Sequence, residues 1–272
     1  MSSIAMQKVS VPSKAHHGRM VATLIYCYPI IVLMVLWELL AHSGLISPLL
    51  WPSLEKIAIA LWKFALSGDL MFHGLITLQR ALSGFFAALV VGVLIGTMLG
   101  RSRILNRLFE PIFVFGYPVP KISLYPVLIF VFGLGDMSKI VLIFLECLYP
   151  ITLQTVFGMR SAERALVWAA QNAGASRSQL FWQVLVPSAA PAIFAGIRIA
   201  LPISLIVAII TEIIGESRGL GYVVAFASAS FEPARAIAAF VVIAAIGFVF
   251  DRTFVGLRRR LIYWQSDNAA LR

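Results

Sequence analysis

Apolar residues gather in six long runs separated by short polar stretches. The runs are Val21 to Leu40, Ala81 to Leu99, about Pro111 to Phe132, Ile140 to Phe157, Ala189 to Ile210 and Ala236 to Val255. A bilayer core about 30 Å thick needs about 20 such residues per helix, and none of the runs shows the strict alternation of a barrel strand. The pattern therefore predicts an all-α integral membrane protein with six transmembrane helices. The third run is interrupted by Pro118, Pro120, Lys121 and Pro126, so that span should be bent or partly unwound. Between the first two runs, Pro52 and Ser53 open a segment Leu54 to Leu66 in which Leu54, Ile57, Ala58, Leu61 and Ala65 recur at helical spacing. That spacing predicts an amphipathic helix lying on the outer face.

One polar stretch, residues 160–187, is too regular for an ordinary loop. Ala162, Ala165, Leu166, Ala169, Ala170 and Ala173 share one helical face of small side chains. Gly174 should end this helix, and Ser176 with Gln179 three residues later has the form of a capping box opening another. Leu180, Phe181, Val184 and Leu185 give the second helix an apolar stripe, which Pro187 should stop. Such a hairpin either packs beneath its own bundle or offers a smooth surface on which another protein can dock.

Composition narrows the class. Of 272 residues 60% are hydrophobic and 12% charged, with a net charge of +10. The basic excess lies between apolar runs, which indicates a membrane surface rather than nucleic acid. Lys8, Lys14 and Arg19 stand before the first run. Arg101, Arg103 and Arg107 follow the second, Arg160, Arg164 and Arg177 the fourth, and Arg252, Arg258, Arg259, Arg260 and Arg272 lie at the end. The alternate loops carry fewer, so the positive-inside rule puts both termini in the cytoplasm. The organisation is a tail of residues 1–20, a membrane domain of residues 21–257 containing the 160–187 loop, and a tail of residues 258–272. Cys27 and Cys147 lie within apolar runs and His16 and His17 stand alone, so neither a disulfide framework nor a metal site is expected. No Gly-Lys pair occurs, which excludes a phosphate-binding P-loop; ATP could act here only through another chain.

A charge within the bilayer costs at least about 2.5–3.5 kcal/mol, so those inside the runs need an explanation. Lys121, on proline-broken backbone, and Glu146 either line a solute path or form a structural pair. Arg198 is a brace or a path residue. Glu212, near the outer end of the fifth run, is a path residue or an interfacial one. Gly92, Gly96 and Gly100 recur every four residues and permit close helix contact, within one bundle or across a dimer seam.

Trp168-Ala169-Ala170, then Gly174, then Val184-Leu185-Val186-Pro187 resembles the Glu-Ala-Ala loop of permease subunits of bacterial ATP-binding-cassette importers. Phe132-Gly133-Leu134-Gly135-Asp136 with Ser138-Lys139, Gly174-Ala175-Ser176, Gly196-Ile197-Arg198 and Gly219-Leu220-Gly221-Tyr222 are similar to the branch for nitrate, sulfonate, taurine and bicarbonate. The resemblance implies a type I importer permease fold in the bacterial inner membrane, working as a homodimer in lipid with ATPase subunits and an external solute-binding protein. It also implies that this chain does no chemistry, holds no cofactor, leaves ATP and Mg to the partner, and carries a small anion. The coupling helix that seats on the ATPase then covers Ala162, Leu166, Trp168, Ala169, Ala170 and Ala173, with Gly174, Ala175 and Pro187 shaping the hairpin. Trp168 departs from the pattern, standing where the family has Glu, and exchanges an ion pair for burial or cation–π contact. The alternatives are a self-contained secondary transporter or channel driven through Glu146, and an importer of a pyrimidine-like or aromatic precursor.

Overall fold

A computed structural model describes residues 15–47, 49–116 and 119–264, with side chains from Tyr28 onward, Val114 apart. The expectations for the residues before Ala15, for Pro118, for the side chains of His16, His17 and Cys27 and for residues 265–272 lie outside the described part. The described chain is helical: α1 (Ala15–His42), α2 (Leu54–Leu66), α3 (Asp69–Arg101), α4 (Arg103–Gly116), a 3-10 turn (Lys121–Leu124), α5 (Tyr125–Phe132), α6 (Asp136–Arg160), α7 (Arg164–Asn172), α8 (Arg177–Gln179), a π turn (Leu180–Leu185), α9 (Val186–Ile213), α10 (Leu220–Ala229) and α11 (Pro233–Leu261).

Four of these are long and apolar enough to cross a bilayer: α3, α6, the continuous rod from Arg177 to Ile213, and α11. The expected six crossings are thus not six uninterrupted helices. The first run lies in α1, whose described side chains start at Tyr28. The third is divided among α4, the 3-10 turn and α5, because proline removes amide donors and excludes helical backbone before it.

Glycine builds the centre. Gly84 faces Ile143, Gly92 faces Ile151, Gly96 faces Thr155 and Gly100 faces Met159. The two numberings rise together, so α3 and α6 run parallel. A Cβ on Gly96 would come within 2.5 Å of the Thr155 Cβ, and the backbones can meet only because none is there. The Gly92, Gly96 and Gly100 repeat is therefore a seam inside the chain. On the other side of α6, Gly158 meets Ala189 and Ala192 while Gly196 meets Gln154 and Pro150, an antiparallel arrangement with α9. Phe85, Leu142, Ile143, Cys147, Ile151 and Val207 fill the core between them, and the buried Cys147 thiol donates to the Ala200 carbonyl at 3.4 Å.

The helix expected over Leu54–Leu66 is α2, with those same bounds, but its inward face differs. Ile57 and Phe64 are buried, whereas Ala58 and Ala65 are exposed, and Phe64 packs with Leu220, Val223, Val224, Ala239 and Val242 from α10 and α11. Glu38, near the end of α1, accepts the Leu54 amide at 2.9 Å and so places a carboxylate at the α2 N-terminus, where free donors and the helix dipole favour it. α10 was not expected. Its ten residues are too few to span, and it is bounded by Gly219 at φ +107° and Phe231 at φ +57°.

The ends of the bundle differ in charge. Arg101, Arg160 and Arg258 to Arg260 close helices at the hairpin end, and Arg177 opens the rod there. Asp69, Asp136, Glu212 and Glu216 mark the other.

Candidate functional site

The hairpin end is built by local rules. α7 stops where Gly174 takes φ +80°. The Ala175 amide reaches back to the Ala170 carbonyl and the Gly174 amide to Gln171, each at 3.0 Å, which is a Schellman termination. The capping box expected at Ser176 is present: its amide donates to Gln179 Oε1 at 2.8 Å, and the Gln179 amide donates to Ser176 Oγ at 3.3 Å. Pro187 does not end the second helix. The π turn of Leu180–Leu185 widens the backbone just before it, which makes room for a ring that would clash with the carbonyl four residues earlier and leaves its missing donor without consequence. The result is a 37-residue rod from Arg177 to Ile213, about 55 Å long at 1.5 Å per residue.

No residue of α7 is buried. Ala165, Leu166, Ala169 and Ala173 point away from the bundle, and Ala162 and Ala170 are half-buried. Ala162 stands in the turn before α7, not on it. Leu166 is 51% exposed and Trp168 61%, so the small-residue face is not one that this chain covers. Gly174 is exposed, while Ala175 and Pro187 are half-buried at the base of the hairpin. Beneath α7, a cleft of about 420 Å³ is lined by Leu166, Val184, Pro187, Pro191 and Trp264.

Halfway along the bundle, the Lys121 Nζ lies 3.9 Å from Glu146 Oε2 and 4.2 Å from the centre of the Tyr149 ring. The Tyr149 hydroxyl donates to the Ile112 carbonyl at 3.4 Å, beside Gly116, where any Cβ would collide with it. Arg198 meets Asp251 at 3.6 Å, both side chains about half exposed, and ties α9 to α11 as a brace.

Glu212 is neither interfacial nor open to a path: its side chain is fully buried. It accepts from Thr77 Oγ1 at 2.9 and 3.0 Å, from Arg80 Nη1 at 3.0 Å and from the Gly221 amide at 3.0 Å. Arg80, 1% exposed, also donates to Asp136 Oδ1 at 2.7 Å and to the Arg218 carbonyl at 3.1 Å, and lies 3.3 Å from Glu216. Lys139 completes the group, with its Nζ 2.5 Å from Glu216 and bonded to the carbonyls of Leu134 and Gly135. Burial pushes the Glu216 carboxyl up, but the Lys139 ammonium, the Ser217 amide and the nearby Arg80 charge outweigh it, and the group titrates below the usual glutamate range. The Gly219-Leu220-Gly221 motif now has a cause. A Cβ at Gly219 would strike the Glu212 carboxylate, and one at Gly221 the Ile209 carbonyl.

Sequence reasoning did not single out Arg80, and it missed Asp136 and Glu216 as partners of Arg80 and Lys139 as the partner of Glu216. The one available signal was that Asp136 and Lys139 fall on one turn of a helix beside a Gly-rich stretch.

A helical membrane bundle with a projecting capped hairpin at its basic end is the architecture of a transporter's membrane permease. The chain belongs to the family described as binding-protein-dependent transport system inner membrane component, matched over residues 88–263. It is 32% identical to the taurine transport system permease protein TauC of Escherichia coli (strain K12), over 87% of this chain and 88% of that one. It is also 32% identical to the putative aliphatic sulfonates transport permease protein SsuC of the same organism, over 85% and 88%. In fold it is similar to a chain of the MetNI methionine ABC transporter in an inward-facing conformation, with a TM-score of 0.54, 18% identity, and coverage of 75% of this chain and 97% of that one. The chain is thus a multi-pass membrane permease subunit of an importer whose ATP hydrolysis resides in a separate ATPase. The secondary-transporter reading is set aside.

Proposed function

We propose that two copies of this chain enclose the path of an ATP-driven importer for small sulfonates, with both termini and the hairpin in the cytoplasm of a bacterial inner-membrane assembly. The substrate class rests on the names of the relatives and on a cation, Lys121, at mid-depth. ATP and Mg belong to the partner; this chain contributes shape and force transmission.

The observation that carries the reading is the exposed α7 face, clamped to the long rod by the Gly174 termination and the Ser176 capping box. Small side chains let a partner approach closely, and the uncovered Trp168 indole offers an apolar surface of the size that anchors interfaces. When the ATPase pair closes, α7 is carried with it. Because α8, the π turn and α9 are one rod, the displacement reaches the outer end of α9 rather than dissipating in a loop. Only differential contact between the two states is needed, and a few kcal/mol suffices to exchange their populations.

The test is co-purification and transport. The chain expressed with its ATPase and binding protein should yield a stoichiometric complex whose ATPase is stimulated by loaded binding protein and which takes up radiolabelled taurine only with ATP. Ala169→Trp should leave the bundle folded, abolish ATPase capture and cut uptake at least tenfold. Full stimulation in that variant would reject the docking assignment.

A further inference from the structure

We infer that Lys121, Glu146 and Tyr149 form a solute site selective for small zwitterions that carry a sulfonate and an ammonium group, in preference to plain sulfonate anions. The inference deepens the proposed importer function and rests on it.

Depth is the first argument. Glu146 lies ten residues from one end of α6 and fourteen from the other, about 15 and 21 Å at 1.5 Å per residue, which is near the middle of the bundle. Lys121 reaches the same level from the 3-10 turn, within the stretch where the third span departs from the α-helix. Discontinuous helices at mid-depth are tolerated where they meet protein or a water-filled cavity, and they recur at transport sites.

The second argument is looseness. The pair is 3.9 Å apart with no hydrogen bond between its members, and its side chains are 10% and 21% exposed. The outer cluster holds its charges at 2.5 to 3.3 Å. A bond that only needed to brace the break would be expected to close; this one leaves both charges available to a third body.

Charge accounting then selects the solute. A lone anion can take Lys121 only by drawing it from Glu146, leaving a carboxylate unpaired deep in the membrane, which is costly. A lone cation strands Lys121 in the same way. A zwitterion divides the pair without stranding either side: the sulfonate takes the Lys121 ammonium, and the solute's own ammonium takes Glu146. The Tyr149 face, already beneath Lys121, offers cation–π attraction to whichever ammonium lies over it. No covalent step is involved.

Equilibrium binding to the purified permease–ATPase complex in lipid nanodiscs, free of binding protein, tests this, with radiolabelled taurine and ethanesulfonate as probes. Taurine should bind at least tenfold more tightly than ethanesulfonate, which has the same sulfonate and no ammonium. Glu146→Gln should erase that preference by weakening taurine alone, and Lys121→Gln should weaken both. The double variant Lys121→Gln/Glu146→Gln, which strands neither charge, should unfold close to the parent while losing both probes. Equal binding of both probes, binding of neither, or a preference that survives in Glu146→Gln would overturn the inference. Continued ATP-driven uptake by the complete transporter in that event would leave the importer reading standing.

Discussion

Two groups of buried charge lie in this bundle, and they are built differently. At the end of the bundle away from the hairpin, Arg80 touches Asp136, Glu212 and Glu216 and joins α3, α6, α9 and the loop that leads into α10. Every member has at least one close partner, several of them backbone groups, and Thr77 and the Gly221 amide share the load on Glu212. At mid-depth, Lys121 and Glu146 have one another, a ring face and a longer separation. The first arrangement satisfies charge so fully that removing one part strands the rest; the second is poised to exchange partners. Burial of charge is thus not in itself a sign of a transport site; the degree of satisfaction separates a rivet from a receptor.

The Arg80 cluster also suits the mechanics. The hairpin end of the Arg177–Ile213 rod is free to be pulled, and the Glu212 end is pinned to three other elements, so force applied at α7 should tilt α9 about its Glu212 end.

Arg80→Met should show the largest effect. It leaves the Glu212 carboxylate buried without its cation, a loss of about 3–5 kcal/mol, read as failure to recover monodisperse protein in detergent. The double variant with Glu212→Met should recover part of that loss, since the stranded charge has gone. Normal yield of Arg80→Met alone would break the distinction between the two clusters. Lys121→Met combined with Glu146→Gln, which strands no charge, should by contrast shift the unfolding temperature by only a few degrees, equivalent to about 1 kcal/mol or less, while uptake falls at least tenfold. A collapse of the fold in this variant would make both clusters structural.

The smallest effect sharpens the comparison by pH. Because the Glu216 carboxyl titrates lower when folded than when unfolded, it stabilises the protein above the unfolded glutamate range, near pH 4 to 5. That contribution is lost as the pH falls through the depressed folded value. Thermal unfolding of the parent should therefore weaken on acidification more steeply than that of Glu216→Gln, and identical slopes would remove Glu216 from the cluster's energetics.

How legible each region was follows from the range of its interactions. The hairpin was readable residue by residue because its bonds span three to five positions: Gly174 closes α7 and Ser176 opens α8 through nearest neighbours. The bounds of α2 were legible for the same reason, but its buried face was not. Ala58 and Phe64 differ in what α10 and α11 place opposite them, and periodicity says nothing of that. Pro187 misled because helix-stopping is a local tendency, whereas a π turn just before the ring absorbs the misfit. The Gly92, Gly96 and Gly100 repeat announced a close approach but not its partner, which proved to be α6 of the same chain.

The sequence by itself determined a membrane bundle, the places where helices start and stop, and a capped hairpin at the basic end, since hydrophobic run length and short-range caps are properties of contiguous residues. Only the tertiary structure decided which charges are rivets and which are open. Thr77, Arg80, Asp136, Lys139, Glu212 and Glu216 are gathered from up to 139 positions apart, and the energy of a charge depends on the partners and water around it, which exist only once the helices have packed.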